Sequence, residues 1–201
     1  MDLISDSELQ DIVHKVLQRV SGGGNLNSPT KPEGSDPVPL PSTSSEVTQP
    51  STNKGKTIAL GADHGGFPLK ENIKTLLEKE GYLVEDCGTN STEAVDYPDF
   101  AYAVAKKVSE GNAWRGIVVD GAGIGSCMVA NKVPGVRAAM CYDHATAINS
   151  LEHNDANVLT LGAGLIGPNL AIQIVQTWLR TEFSGGRHSR RVDKIMAIEK
   201  R

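Results

Sequence analysis

Residues 118–126 have the sequence Val-Val-Asp-Gly-Ala-Gly-Ile-Gly-Ser. An apolar run precedes the glycines and an apolar-periodic segment follows them, which predicts a strand, a tight turn and the start of a helix. Because glycine has no side chain, the backbone N–H groups of such a turn can approach a phosphate or the oxyanion of an enediolate. Asp120 ends the predicted strand, where open α/β sheets bind their ligands. The stretch therefore indicates an α/β domain, although a turn that only connects two elements would show the same pattern.

Outward from this turn, short apolar runs alternate with helix-periodic segments from Thr57 onward. This alternation predicts one Rossmann-like, doubly wound α/β domain over residues 56–201, with a mainly parallel five-stranded sheet. The predicted strands are 57–61, 82–86, 116–119, 136–141 and 157–161. The predicted helices are 68–80, 100–108, 124–132, 144–151, 168–180 and 190–199.

Two further segments precede the predicted domain. Residues 1–20 contain a short amphipathic helix with a capping box at Ser5 and Glu8, and its apolar stripe includes Ile12 and Val16. Residues 21–55 contain six of the ten prolines and no aromatic residue, which predicts a disordered Pro/Ser/Gly-rich linker. A helix tethered in this way needs a surface to cover, either on another molecule or, alternatively, on the domain itself.

Composition narrows the classes of function. The 201 residues have a formal net charge of −4 and no basic block, which argues against a nucleic-acid partner. No apolar run is long enough for a membrane span and no secretory signal begins the chain, so we expect a cytoplasmic protein. The three cysteines lack metal-ligand spacing, and no metal site is predicted.

Polar residues collect where the predicted strands and helices end. They form four groups, which are Asp63-His64, Asp120, His153-Asn154 and the pair of Arg187 and Arg191. Each group alone has a structural explanation, such as a helix cap, a buried histidine with its hydrogen bonds satisfied, or a solvated basic face. Four such groups in one α/β domain together indicate a functional site.

The motifs that contain these residues resemble those of the ribose-5-phosphate isomerase type B family, which includes the galactose-6-phosphate isomerase subunits. The resemblance covers residues 58–201 and lies in the motifs GADHGGFPLK, DYPDFA, GAGIG, ANKVPGVRA, EHNDANVL and GGRHSRRV. It implies a Rossmann-like homodimer, sometimes paired into a tetramer, with active sites at the dimer interface. It also implies an aldose–ketose isomerase that acts through a cis-enediolate on sugar phosphates, here ribose 5-phosphate and ribulose 5-phosphate, without metal or cofactor.

The resemblance also implies residue roles. His153 would open the sugar ring with Asp63 and Asn154 nearby, and Asp120 stands at the position of the base. The turn would supply N–H donors to the enediolate from Gly121, Ala122, Gly123, Gly125 and Ser126. The phosphate would be held by His64, Tyr97, Arg187 and Arg191, the arginines reaching across from the partner subunit. Arginine suits this task because its planar guanidinium donates two hydrogen bonds at once.

The chain departs from the family pattern at four positions. Many members have a cysteine base where this chain has Asp120, and one branch has a glutamate where Ser126 stands. A family threonine is Ala122, and a phosphate-binding arginine is Gly164. A carboxylate can act as an enediol base, so Asp120 is the preferred base and Cys127 the rival. The departures leave open an isomerase of another sugar, such as galactose 6-phosphate or a tetrose phosphate, and a sugar-phosphate-binding or scaffold protein without turnover.

The N-terminal segment has a resemblance of its own. A short amphipathic helix before a Pro/Ser/Gly-rich linker is similar to the encapsulation peptides of enzymes in bacterial microcompartments. This implies that residues 3–20 bind a shell protein or a co-encapsulated aldolase, and that the enzyme resides in the compartment lumen.

Overall fold

The computed structural model describes residues 55–201, with residue 10 alone before them. The amphipathic helix of residues 1–20 and the linker of residues 21–55 therefore lie almost wholly outside the described residues and stay predictions. Within 55–201, the strands are β1 (Thr57–Ala62), β2 (Leu83–Asp86), β3 (Arg115–Asp120), β4 (Ala138–Met140) and β5 (Val158–Gly162). The helices are α1 (Phe67–Lys79), α2 (Tyr97–Ser109), α3 (Ile124–Ala130), α4 (His144–Glu152), α5 (Pro168–Arg180) and α6 (Ser189–Met196).

The five strands form one sheet in the order β2-β1-β3-β5-β4. Every neighbouring pair is parallel, with Ala62 beside Val119 and Asp120 beside Gly162. This confirms the predicted α/β fold with its five-stranded parallel sheet. The carboxyl ends of β1, β3 and β5 consequently meet at one edge of the sheet.

Helices cover both faces of the sheet, because successive strand residues point to opposite sides. On one face, Ile58 and Leu60 of β1 belong to a core cluster that includes side chains of α1, α4 and α5. On the other face, Ala59 of β1 and Val118 of β3 belong to a cluster with α2 and α3. All six residues of β3 are buried, as expected for the central strand of a doubly wound sheet.

Most elements differ from their predicted bounds by one or two residues in all, and three differ by more. Helix α2 begins at Tyr97, three residues before the predicted start at residue 100. The strand predicted at 136–141 is shorter, Ala138–Met140, because the Arg137 N–H donates to Oδ1 of Asn157 at 2.7 Å rather than to the ladder. The helix predicted at 190–199 ends at Met196, and a 3₁₀ turn, Ala197–Lys200, follows it. A second 3₁₀ turn, Gly186–His188, precedes α6.

A cationic and aromatic cluster lies where β3 begins. The Arg115 guanidinium lies 4.2 Å from the centre of the Trp114 ring and 4.9 Å from that of Trp178. Its Nη1 donates to the Trp178 carbonyl at 2.8 Å. Burial lowers the pKa of Arg115 to about 10, so the guanidinium stays charged at neutral pH. The cluster thus stabilises the amino-terminal end of the sheet, opposite the strand ends that bear Asp63 and Asp120.

Among the helices that the structure describes, none is both long and apolar enough to cross a bilayer.

Candidate active site

Two carboxylates lie side by side at the carboxyl edge of the sheet. Asp63 follows β1 directly, and its N–H donates to the Val119 carbonyl of the neighbouring β3 at 3.2 Å. Asp120 is the last residue of β3. Both side chains are almost fully buried, Asp63 at 9% and Asp120 at 4% exposure. The parallel register of β1 and β3 therefore brings together two of the predicted catalytic residues.

The Asp120 carboxylate accepts hydrogen bonds from the glycine-rich turn that follows it. Oδ1 accepts hydrogen bonds from the N–H groups of Ala122, at 2.8 Å, and Gly123. Oδ2 accepts from the Ser126 N–H, at 3.1 Å, and from the Ser126 hydroxyl. A carboxylate has about four lone-pair sites, and here each oxygen accepts two donors. Asp120 thus acts as an internal cap of the turn, whatever else it does.

Because of these bonds to Asp120, only some N–H groups of the turn remain available to a ligand. The N–H groups of Ala122, Gly123 and Ser126, predicted as donors to an enediolate, already donate to Asp120. Among residues 55–201, no carbonyl or side chain accepts from the N–H groups of Gly121 and Gly125. Gly121 is exposed, and Gly125 is half-buried beside the Tyr97 ring.

Tyr97 and His64 border the turn. The Tyr97 ring packs directly on Gly125, where a Cβ atom would lie 2.7 Å from the Tyr97 hydroxyl. A side chain at this position would therefore displace the Tyr97 ring. His64 Nδ1 lies 3.2 Å from both the N and the O of Val95, and the ring is exposed. Of the four predicted phosphate ligands, Tyr97 therefore contacts the turn, and His64 lies next to Asp63 with its ring exposed.

Asp63 has a simpler environment than Asp120. Its Oδ1 accepts the Gly66 N–H at 2.8 Å. Within the described part of the chain, no donor reaches Oδ2. Asp63 therefore keeps acceptor capacity that Asp120 does not have.

A second polar group forms where α4 ends. His153 follows α4, and its ring stacks on that of His188, with centroids 4.3 Å apart and planes at 4°. Asn149 Nδ2 lies 2.8 Å from His153 Nδ1, and since an amide nitrogen only donates, Nδ1 is the acceptor. Nε2 is then the nitrogen that can exchange a proton with a ligand.

His188 is the site residue that sequence reasoning did not single out, although it lies within the motif GGRHSRRV. Its ring is buried, and Arg187 Nε donates to its Nε2 at 3.3 Å. Burial lowers the pKa of His188, and the neighbouring basic groups of His153, Arg187 and Arg191 lower it further. The stacking partner of His153 is therefore uncharged at neutral pH.

The remaining predicted residues belong to the same group. Asn154 Nδ2 donates to the Asn149 carbonyl at 3.2 Å and lines a cavity of about 560 Å³. Arg187 and Arg191 are exposed and form no ion pair with any described acidic residue. Within residues 55–201, no hydrogen bond connects this second group with Asp63, Asp120 or the turn. One chain thus presents two halves of the predicted site.

The cysteines lie outside both halves. Cys127 Sγ donates to the Ala138 carbonyl at 3.5 Å, on the side of α3 that packs against β4. Burial raises the pKa of Cys127 and Cys141, and raises that of Cys87 to about 11. All three thiols are therefore protonated at neutral pH. In the described range, no three His, Cys, Asp or Glu side chains converge as metal ligands.

Comparison with known proteins gives one consistent picture. The family described as Ribose/Galactose Isomerase matches residues 58–195. The ribose-5-phosphate isomerase B of Escherichia coli K12 is 45% identical over 146 residues, covering 73% of this chain and 98% of the relative. A D-erythrulose-4-phosphate isomerase of Pectobacterium atrosepticum is 44% identical over 140 residues, covering 69% and 92%.

Solved structures of ribose-5-phosphate isomerase B are also similar to this chain. Ribose-5-phosphate isomerase B of Clostridium thermocellum is 53% identical with a TM-score of 0.71, and the match covers 72% of this chain and 97% of that one. The Mycoplasma genitalium enzyme with bound ribulose-5-phosphate is 42% identical with a TM-score of 0.71, covering 73% and 98%.

Proposed function

Since the chain belongs to the ribose/galactose isomerase family and is therefore a sugar-phosphate isomerase, we propose that it interconverts ribose 5-phosphate and ribulose 5-phosphate through a cis-enediolate. The observation that carries the proposal is the pair of buried carboxylates beside a turn in which the N–H groups of Gly121 and Gly125 have no acceptor among residues 55–201. An aldose–ketose shift needs a base that moves a proton between C1 and C2, and donors for the oxyanion that develops. Asp120, Asp63 and the turn offer both.

We assign the base to Asp120, at the family's base position. To take the substrate proton, its carboxylate must release one of four donors. The Ser126 hydroxyl is the donor most easily released, because it can rotate about its Cβ–Oγ bond. Asp63 is the second candidate, favoured by its unoccupied Oδ2. The oxyanion would accept from the N–H groups of Gly121 and Gly125.

His153 would open the sugar ring through Nε2, with Asn154 beside it. Phosphate would be bound by His64 and Tyr97 of one half-site and by Arg187 and Arg191 of the other. We propose that a homodimer, or a tetramer built from it, brings the two halves together across subunits. Exposed apolar side chains near the turn, Ile124 at 50% and Met128 at 65% exposure, support a subunit contact there.

The identity of the sugar-phosphate substrate can be tested directly. NMR in deuterated water follows exchange of the C2 proton of ribose 5-phosphate, of erythrose 4-phosphate and of galactose 6-phosphate, each with chelator present. We expect ribose 5-phosphate to exchange fastest. Faster exchange of the tetrose phosphate would move the assignment toward the activity named for the Pectobacterium relative. Binding of all three sugars without exchange would favour a sugar-phosphate-binding or scaffold role.

We further propose that the enzyme is cytoplasmic and lies in the lumen of a bacterial microcompartment. The amphipathic helix predicted for residues 3–20 and the predicted proline-rich linker support this, since the proposed chemistry uses none of their residues. The helix would bind a shell protein or a co-encapsulated aldolase.

A further inference from the structure

Asp155 has a left-handed backbone conformation, which is uncommon for residues other than glycine, although aspartate and asparagine adopt it more readily than most. Its φ is +49°, and it is the one non-glycine residue with positive φ among those the structure describes. It lies directly after His153 and Asn154. Its N–H donates to the Leu151 carbonyl at 3.0 Å, and the Ala156 N–H donates to the Ser150 carbonyl at 3.0 Å. These bonds form the left-handed end of α4, a position where glycine is usual.

Arg137 binds Asp155 at two points. Nε donates to the Asp155 carbonyl at 2.7 Å, and Nη2 donates to Oδ2 of the same residue at 3.0 Å. The Arg137 side chain is 17% exposed and that of Asp155 is 41% exposed, so the pair is partly buried and solvent screens it less than a fully exposed ion pair. The arginine therefore holds both the backbone and the side chain of Asp155.

The arginine is itself held in place. Its N–H donates to Oδ1 of Asn157 at 2.7 Å, and Nδ2 of Asn157 donates to the Gly135 carbonyl at 2.9 Å. Residues 135–137 thus form a rigid support for residues 155–157. Arg137 and Asn154 also line the same cavity of about 560 Å³.

We propose that Arg137 and Asp155 are positioning residues that fix His153 and Asn154 toward the substrate. This rests on the proposed function, in which those two residues act on the sugar ring. Glycine would end the helix without strain, whereas aspartate costs conformational energy and provides a carboxylate for Arg137. Unfavourable backbone conformations persist when the surroundings enforce them, and here Arg137 is the enforcing contact.

Asp155→Gly separates positioning from structural support. Glycine relieves the positive φ but leaves Arg137 without its carboxylate partner, so a purely structural role predicts a shifted melting temperature and unchanged kcat. Positioning predicts the same melting behaviour with kcat lowered about 10- to 100-fold, because small displacements of catalytic groups are costly. KM should change little, since the predicted phosphate ligands stay in place. Asp155→Asn, which tolerates positive φ and keeps an acceptor, should restore part of kcat.

Arg137→Met should reproduce the loss of kcat, and combining it with Asp155→Gly should add almost nothing. Arg180→Met is the matched control, because Arg180 forms an exposed ion pair with Glu80 at 3.4 Å and should leave kcat unchanged. Full kcat in Asp155→Gly, or additive losses in the double variant, would overturn the inference.

A second measurement does not depend on turnover. Proton NMR should show the contact between the His153 and His188 rings in the wild type, and a weaker or altered contact in Asp155→Gly. An unchanged ring contact would count against positioning even if the protein proved inactive. An inactive wild type with the contact altered as expected would count against the proposed function alone.

Discussion

Asp120 has two tasks at once in the proposed mechanism, since it caps the turn and acts as base. Asp120→Asn keeps the shape of the side chain but replaces one acceptor oxygen by a donor. We expect kcat to fall about 10²- to 10⁴-fold, the usual range for a positioned acid–base group. The measurement is C2 proton exchange, with folding checked by thermal unfolding.

Two variants serve as controls for Asp120→Asn. Ser126→Ala removes only the hydroxyl donor to Oδ2 and should preserve much of the activity. Cys127→Ser should be fully active, because its buried thiol is protonated and contacts Ala138. If Asp63→Asn abolishes exchange while Asp120→Asn retains it, the base is Asp63. Loss of activity in Cys127→Ser alone would restore the cysteine as base.

Arg187 and Arg191 are exposed and free of described acidic partners, as expected of ligands for an anion. Replacing either with alanine should raise KM more than it lowers kcat, because charge-assisted bonds to phosphate act in ground and transition states alike. Steady-state kinetics with ribose 5-phosphate measures this. An unchanged KM in both variants would mean that the phosphate binds elsewhere.

At the scale of the element, α4 begins with a capping box. Asp143 Oδ1 accepts from the Thr146 N–H at 2.7 Å, and Thr146 Oγ1 accepts from the Asp143 N–H at 3.3 Å. The first of these bonds, together with the contact to the Thr146 hydroxyl, lowers the pKa of Asp143. A lowered folded-state pKa contributes stability above the ordinary aspartate pKa, and this contribution is lost as pH falls through the folded value.

We therefore expect Asp143→Ala to lower the melting temperature at pH 7. The difference from wild type should shrink as pH falls below about 4, the ordinary pKa of aspartate. Thermal unfolding from pH 7 to pH 3 measures both effects. A difference that persists undiminished at pH 3 would show that the carboxylate charge is not the cause.

Elements were easier to predict than contacts between them. The alternation of β and α segments is local, and the positions of all five strands followed from it. The shortness of β4 could not be predicted from this alternation. It depends on the Asn157 side chain, which accepts the Arg137 N–H in place of a carbonyl of the neighbouring strand. Asp63 and Asp120 were expected at strand ends, but the four donors to Asp120 depend on how the turn closes in space. The stacking of His188 on His153 likewise joins residues 35 positions apart, which no local pattern reveals.

At the scale of the whole molecule, the described residues of both core clusters lie between Ile58 and Leu179. We therefore expect removal of residues 1–50 to leave the domain folded, with its oligomeric state and kcat unchanged. Size-exclusion chromatography, thermal unfolding and the exchange assay test this. Unfolding or dissociation on truncation would make the N-terminal helix structural and would end the targeting proposal.

The targeting proposal has its own assay. Residues 1–20 fused to an unrelated protein should co-purify with microcompartments, and the double variant Ile12→Glu, Val16→Glu should abolish this because it interrupts the apolar stripe. In the full-length enzyme the same double variant should keep full activity. Equal co-purification of the altered and unaltered fusions would argue against the apolar stripe as the binding element.

The cluster around Arg115 contains both tryptophans of the chain, Trp114 and Trp178. Trp178 is fully buried, and within the described residues its Nε1 has no hydrogen-bond partner. An indole in such surroundings emits at shorter wavelength than one in water, so unfolding should shift the emission to the red. The cluster and Asp120 lie at opposite ends of β3, roughly 15–20 Å apart for a six-residue strand. Intrinsic fluorescence therefore reports whether the domain is folded while remaining insensitive to what occupies the carboxyl edge of the sheet.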